Sequence, residues 1–351
     1  MADVKLDELD LDLITALQMS PRASWAQLAG PLGVDAATLA RRWTRLRDSG
    51  VAWVTGYPGV ALAPHGALAF IQISCAPAEL EAVAHEIASH PFAYSVEMVG
   101  GTHGLLVSVA AARQSLLVDY LLAVGRIPGV RDLRVHPSQR MYRDGSQWRF
   151  DSLSPDQRRH LTASLREPER PDQGFVNITA DEQRLILALG ADGRRSYTAL
   201  AEELGKPEST VRRMLSSLLG NGKAVLRCEA ALPLTGWATT ATFWLDVPPA
   251  ALSTAIDETR RLRETRMCAT TLSHANLAVV ASFHSLDGIA KYESQLAAAV
   301  PQLRVVDRSI TLRWFKRVGQ LLGPDGRRIG VVPMEFWGRS PDSTRGWIAA
   351  R

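Results

Sequence analysis

Thr38, Arg41, Arg42 and Arg45 fall at i, i+3, i+4 and i+7 of a run that also places Leu39, Trp43 and Leu46 at i, i+4 and i+7. Read as one helix, the run packs its apolar row inward and turns a hydroxyl and three guanidiniums outward. Guanidiniums in a row suit phosphate oxygens and the major-groove edge of guanine, and Thr38, near the helix start, is placed for a base or a phosphate. A solvated basic face is the plain alternative. The preceding residues favour recognition. Trp25 to Leu32 reads as a short helix, Gly33 as a left-handed turn residue and Asp35 as the cap of the arginine-bearing helix. Two helices hinged at a glycine make a helix-turn-helix, whose second helix enters the major groove of duplex DNA.

Leu6, Leu9, Leu13, Ile14 and Leu17 form an amphipathic helix that Ser20-Pro21 ends, and Val51 to Val54 reads as a short strand where a winged helix puts its hairpin. The stretch Ser24 to Gly50 then returns, without a gap, as Ser196 to Gly222, each position displaced by 172 residues. Leu28/Leu200, Gly33/Gly205, Arg41/Arg213 and Gly50/Gly222 are among the identities. Solenoid repeats are far shorter, so the period marks two copies of a whole protomer, a dimer written as one polypeptide. In the second copy the outward stripe is Thr210, Arg213, Met214 and Ser217, with Arg212 beside it. Three arginines face one or two, so the two heads are expected to read different half-sites of an asymmetric operator.

The residues after each head alternate as strand, helix, strand, strand, helix, strand. In the first copy the segments are 67–74, 77–89, 92–99, 104–110, 115–124 and 130–136; in the second they are 239–247, 249–262, 266–272, 276–283, 286–300 and 303–314. This βαββαβ order is ferredoxin-like. The expected class is α+β, a winged helix-turn-helix plus a ferredoxin-like domain occurring twice. The divisions are 1–60 and 61–148, a linker at 149–175, then 176–232 and 233–318, and an extension at 319–351. Ser154-Pro155-Asp156-Gln157 carries a capping-box pattern for a linker helix reaching about Leu165, followed by a flexible run at 166–174. Past Gly323 a turn at Pro324-Asp325-Gly326 and a strand at Ile329–Val332 could cover a sheet edge, and 339–351 is expected to be loosely ordered.

The run from Leu6 to Val54, LDELDLDLITALQ through RASWAQLA to LGVDAATLARRWTRLRDSGV, resembles the N-terminal head of the Lrp/AsnC family of transcription regulators, and Ile178 to Leu226 resembles it more loosely. The resemblance implies DNA binding, dimerisation through the ferredoxin-like domains, and further homo-oligomerisation. It also implies a small effector, often an amino acid, near the central hairpin of each domain. The family has G-x-Y-D at that turn. Here the turns are Gly101-Thr102-His103-Gly104 and Ser273-His274-Ala275-Asn276, so Gly101, Thr102, His103, Gly104, Ser273, His274 and Asn276 are the candidate effector contacts, and an ordinary amino-acid effector does not follow. A hairpin turn with no ligand is the alternative.

Siroheme decarboxylases resemble the same family in both domains and are also found fused in pairs. Their mark is a His-Asn-Tyr-x-Arg run before the hairpin. Phe92-Ala93-Tyr94-Ser95-Val96 and Glu264-Thr265-Arg266-Met267-Cys268 stand there instead, without its histidine or its arginine in place, so no enzyme and no catalytic residue is expected. His85-Glu86-Ile87-Ala88-Ser89-His90 imitates HExxH, but histidines five apart on a helix point about 140° away from each other; both are expected at the surface, and neither a metal nor a cofactor is implied. A third reading is an interaction protein with one functional DNA-binding head.

The bulk numbers fit. With 351 residues, 46% hydrophobic and 22% charged, the chain can form several packed domains, and a net charge of +4 permits a polyanionic partner without requiring one. Three separated cysteines, Cys75, Cys228 and Cys268, read as reduced core residues of a cytoplasmic protein. The start lacks a basic-then-apolar leader, and no apolar run is long enough to span a membrane.

Overall fold

The computed structural model describes residues 5–59, 62, 67–164, 178–335 and 337–338. The expected run at 166–174 and the tail at 339–351 lie outside the described residues. The first head is α1 (Glu8–Met19), α2 (Trp25–Leu32) and α3 (Ala36–Asp48), followed by β1 (Ala52–Pro58). Asp7 caps α1 in a capping box with Asp10, Ser24 does the same for α2 with Gln27, and Gly33 ends α2 at φ 68°. Leu13, Ile14, Leu17, Leu28, Leu39, Trp43 and Leu46 share one core.

The first ferredoxin-like unit is β2 (Leu68–Cys75), α4 (Leu80–Ala88), β3 (Ala93–Val99), β4 (Leu105–Ala110), α5 (Gln114–Val124) and β5 (Val130–Arg143). The linker helix α6 (Pro155–Ser164) brings Leu161 into the core of the first head. The second copy runs α7 (Ala180–Ala191), α8 (Tyr197–Leu204), α9 (Glu208–Gly220), β6 (Ala224–Ala230), β7 (Thr239–Asp246), α10 (Leu252–Arg261), β8 (Thr265–Thr271), β9 (Leu277–Phe283), α11 (Asp287–Ala299) and β10 (Arg304–Arg317). A short pair, β11 (Gln320–Leu322) and β12 (Arg328–Val331), is added alongside β10.

Two strands outrun the sequence reading. β5 pairs with β2 up to Ala69↔Pro137 and then with β8 from Ser138↔Thr271, and β10 pairs with β7 up to Ile310 and with β3 from Thr311. Each long strand therefore belongs to both copies. The order β3-β4-β2-β5-β8-β9-β7-β10 closes on itself, because β10 returns to β3. Closure removes the open edges that a lone four-stranded sheet would present. One face of each sheet packs on its helices, and Phe70, Val99, Leu106, Trp244, Ala269 and Ala278 fill the space between the sheets.

No wing hairpin follows β1 among the described residues. β1 pairs instead with β6, centred on Thr55↔Arg227, two residues that hold the same place in their copies, so a pseudo-two-fold axis passes between them. All seven β1 residues are buried, which takes this strand out of reach of a DNA phosphate. Gly56 permits the packing, since a Cβ there would lie 2.6 Å from Leu189 Cβ. The same axis relates a reciprocal clasp between the heads. Arg22 donates to the carbonyls of Gly193 and Arg195 and lies over Tyr197, while Arg194 donates to those of Pro21 and Ala23 and lies over Trp25. The C-terminal strands fasten this assembly: the Arg328 amide donates to the Gly50 carbonyl at 2.8 Å, and Gln320 Nε2 to Gly190 O at 2.7 Å.

His90, expected at the surface, is buried, with Nδ1 3.1 Å from the Tyr120 hydroxyl, because the chain turns inward after α4. Its carbonyl accepts from Nζ of Lys316 at 2.8 Å and from the Ala93 amide at 3.2 Å. Lys316 is wholly buried, and desolvation lowers its ammonium to about 7. The unfolded chain then binds more protons than the folded one between about pH 7 and the ordinary lysine value, so this residue makes stability rise with pH across that window. Lys316→Met removes the burial penalty and leaves the His90 carbonyl its amide partner. It is expected to stabilise the protein by about 1–3 kcal/mol at pH 7 and to flatten the rise toward pH 9. Urea titrations at both pH values check this; a less stable variant contradicts it.

Candidate nucleic-acid interface and an interior cavity

The arginines of α3 do not act alike. Arg41 is exposed, and no partner for it is found among the described residues. Arg42 Nη1 reaches both carboxylate oxygens of Asp7 at 2.8 and 2.7 Å and Asp10 at 2.9 Å, and Arg45 Nη2 reaches Asp10 at 2.7 and 2.6 Å. Asp10 is wholly buried, so these two guanidiniums tie α3 to α1. The hydrogen bond from Arg42 holds the Asp7 carboxyl below its ordinary value against a desolvation that opposes it. Thr38 Oγ1 donates to its cap Asp35 at 2.7 Å. The outermost row is Ala37, Arg41, Thr44 and Asp48, rotated from the stripe expected from spacing alone.

In α9 the exposed row is Ser209, Arg213, Ser216 and Gly220, the same positions displaced by 172. Arg213 has no partner among the described residues. Arg212 pairs with Glu208 at 2.8 Å and lies over the Tyr197 ring, Thr210 is half-buried, and the Ser217 hydroxyl accepts from Asn221. Met214, at the place of Arg42, joins the core of the second head, and Glu182, at the place of Asp10, binds Lys223 at 3.0 Å. The expected contrast of three arginines against one or two therefore narrows. Among the described residues each head presents one exposed, unpaired arginine at the same position.

The two hairpin turns meet around a residue that spacing did not single out. His136 of β5 bonds Ser273 Oγ through Nδ1 at 2.8 Å and Gln72 Oε1 through Nε2 at 3.0 Å, stacks on Trp244, and lies 5.3 Å from the His274 ring. Burial, with His274, Arg134 and His103 nearby, lowers it to about 4. His103 Nδ1 bonds Ser74 Oγ at 2.9 Å, and the Asn276 amide group exchanges hydrogen bonds with the backbone of Val247. Gly101 adopts φ 124°, and a Cβ there would lie 3.7 Å from the Arg308 carbonyl. Most candidate effector side chains in these turns thus hold the turns together. His274 is exposed. No group of three or more His, Cys, Asp or Glu able to hold a metal occurs among the described residues, and no helix there is long and apolar enough to cross a membrane.

A cavity of about 120 Å³ lies between the strand ring and the paired β1 and β6. Leu68, Phe70, Met141, Met267 and Val280 give it an apolar wall; Arg227, Arg266, Arg317, Glu97 and Asp144 give it a charged one. Behind the charged wall Glu229 accepts from all three arginines: Arg266 Nη2 at 3.0 Å, Arg317 Nη2 at 2.6 Å and Arg227 at closer range. Arg266 lies over Trp148, and Arg317 is within 5.5 Å of the Trp53 and Trp314 rings. Burial lowers Arg266 to about 9 and, against a hydrogen bond from Thr311 and the charges of Arg317 and Arg266, raises Glu97 to about 7. Arg266 Nη1, Arg227 Nε and Arg317 Nε have no hydrogen-bond partner among the described residues.

Comparison with known proteins gives the lineage. Residues 6–47 match the AsnC-type helix-turn-helix domain, and residues 184–224 match the IclR helix-turn-helix domain. The HTH-type transcriptional regulator FL11 of Pyrococcus horikoshii is 28% identical over 128 residues, 36% of this chain and 85% of that protein. An uncharacterized HTH-type transcriptional regulator of Pyrococcus furiosus is 37% identical over 86 residues, 24% of this chain and 57% of that protein. Among solved structures the siroheme decarboxylase NirDL, in complex with an iron-uroporphyrin III analogue, superposes with a TM-score of 0.61 at 16% identity, covering 97% of this chain and 99% of that one. At that identity the likeness shows the fold: both copies of the two-part unit, head to tail. The first head is thus an AsnC-type helix-turn-helix, and the chain is similar in sequence to HTH-type transcriptional regulators and in fold to a protein that carries the two-part unit twice.

Proposed function

We propose that the protein is a sequence-specific transcription regulator that binds double-stranded DNA with both heads of an internal dimer. The observation that carries this reading is the pair of equivalent exposed arginines, Arg41 and Arg213, on second helices related by the Thr55↔Arg227 axis. Two like helices about a two-fold axis suit half-sites on one face of the duplex. The remaining differences, Ala37 against Ser209, Thr44 against Ser216 and Asp48 against Gly220, make the half-sites similar and unequal.

The enzyme reading is not adopted. At the positions where siroheme decarboxylases carry His-Asn-Tyr-x-Arg the first copy has Phe92, Ala93, Tyr94, Ser95 and Val96, and the second has Glu264, Thr265, Arg266, Met267 and Cys268.

Binding-site selection followed by fluorescence anisotropy over a salt series tests the proposal. Arg41→Ala and Arg213→Ala are each expected to weaken binding to the selected duplex by about 1–3 kcal/mol if they read bases. If they hold phosphate, the salt dependence should become shallower by about one charge. Absence of binding to any duplex at low ionic strength, or a double variant that binds unchanged, rules the proposal out.

A further inference from the structure

We propose that the cavity between the strand ring and the paired β1 and β6 binds a small carboxylic acid with an apolar body, held as its monoanion by Arg227, Arg266 and Arg317. Three features set this chemistry. The first is the placement of cations: Arg227, Arg266 and Arg317 all line the cavity, and Arg266 Nη1, Arg227 Nε and Arg317 Nε have no hydrogen-bond partner among the described residues, although Glu229 already occupies other donors of the same guanidiniums. Buried donors of this kind are normally satisfied, and a planar carboxylate matches the guanidinium fork. The second is the count of charges. Three guanidiniums face the carboxylates of Glu229 and Asp144, and Glu97, which burial raises to about 7, is only partly ionised near neutrality, so the wall takes at most one further negative charge. A phosphate dianion exceeds it.

The third feature is the opposite wall. Leu68, Phe70, Met141, Met267 and Val280 offer nothing polar, so the body of the ligand is aliphatic or aromatic. At about 120 Å³ the cavity is somewhat below the 150 Å³ of an apolar cavity that accepts benzene, which sets a ligand of roughly six to nine non-hydrogen atoms. The site is distinct from the hairpin turns around His136. Tyr57, Pro58 and Arg227 come from β1 and β6, so an occupant touches the strands that join the heads as well as the ring.

Isothermal titration of the full chain with sodium 3-methylbutanoate tests the site, with 3-methylbutan-1-ol and inorganic phosphate as separate arms. The acid is expected to bind once per chain, and the alcohol and phosphate about tenfold more weakly or not at all. Arg266→Met should reduce acid binding by about tenfold or more. Val280→Phe fills the apolar wall without touching a charge and should reduce it as well, with thermal unfolding confirming that both variants fold. No heat with the acid at millimolar concentration, equal binding of the alcohol, preference for phosphate, or undiminished binding in Val280→Phe overturns the proposal. The measurement involves no DNA, so its failure is separable from failure of the regulatory reading.

Discussion

Glu229→Gln is expected to destabilise the protein by about 3–5 kcal/mol at pH 7, measured by urea denaturation, without any change in side-chain volume. The residue is buried with Arg227, Arg266 and Arg317 around it, and those arginines come from β6, β8 and β10. Burial pushes its carboxyl up, yet the three guanidiniums overcome this and hold it at about 2. A neutral amide keeps a hydrogen-bond acceptor but leaves three buried cations facing one charge fewer. The sign with pH follows. Because the folded value lies below the unfolded one, the stabilisation is fully present above the ordinary glutamate range and is lost as pH falls toward 2. The gap between wild type and Glu229→Gln should therefore close in acid. Arg266→Met placed on Glu229→Gln should recover part of the loss, because it removes one of the stranded cations. A variant as stable as wild type at pH 7 shows that the cluster is held by other means.

That cluster is also where the sequence was hardest to read. Its members sit in runs such as Arg227-Cys228-Glu229, Arg266-Met267-Cys268 and Lys316-Arg317, each of which looks like a strand with a charge turned to solvent. They face inward because the two copies close one ring and pair β1 with β6 over it, and alternation along a single strand does not say which face another copy will cover. In the structure β6 ends in a buried Cys-Glu-Ala triplet, where a solvent-facing strand would leave the glutamate outside. The same cause cut short the predicted β5 at His136. Residues 138–143 pair only with β8, which lies more than 120 positions further along the chain.

Local features were legible for the opposite reason. Asp35, Ser24 and Ser196 cap helices with bonds three residues long, and Gly33 and Gly205 end α2 and α8 at φ 68° and 64°. Such contacts depend on neighbours in sequence, and so does the apolar row Leu39, Trp43 and Leu46. The 172-residue displacement survived because each copy must pack the same head. It also located the axis, since Thr55 and Arg227 are equivalent residues that face each other. What spacing could not supply was the partner of Arg42 and Arg45. A helical wheel places them on an outer stripe, and the carboxylates that claim them belong to α1, more than thirty residues earlier.

Asp10→Ala is accordingly expected to have two effects of opposite sense. Stability of the first head should fall by about 2–3 kcal/mol, since the change removes a wholly buried carboxylate, two ion pairs and half of a capping box. The loss stays below that for a fully buried triad because the Arg42 and Arg45 side chains are 26% and 44% exposed and can be rehydrated. DNA binding should move the other way: two released guanidiniums on the exposed side of α3 raise affinity for non-specific duplex and steepen the salt dependence by up to about two charges. Arg45→Ala in wild type should then reduce stability more than DNA affinity, whereas in Asp10→Ala it should undo the steeper salt slope. Urea titration and anisotropy on the same samples separate the two. If Asp10→Ala lowers stability with no change in salt slope, Arg42 and Arg45 already reach phosphate while paired, and the ion pairs orient the arginines for DNA instead of withholding them.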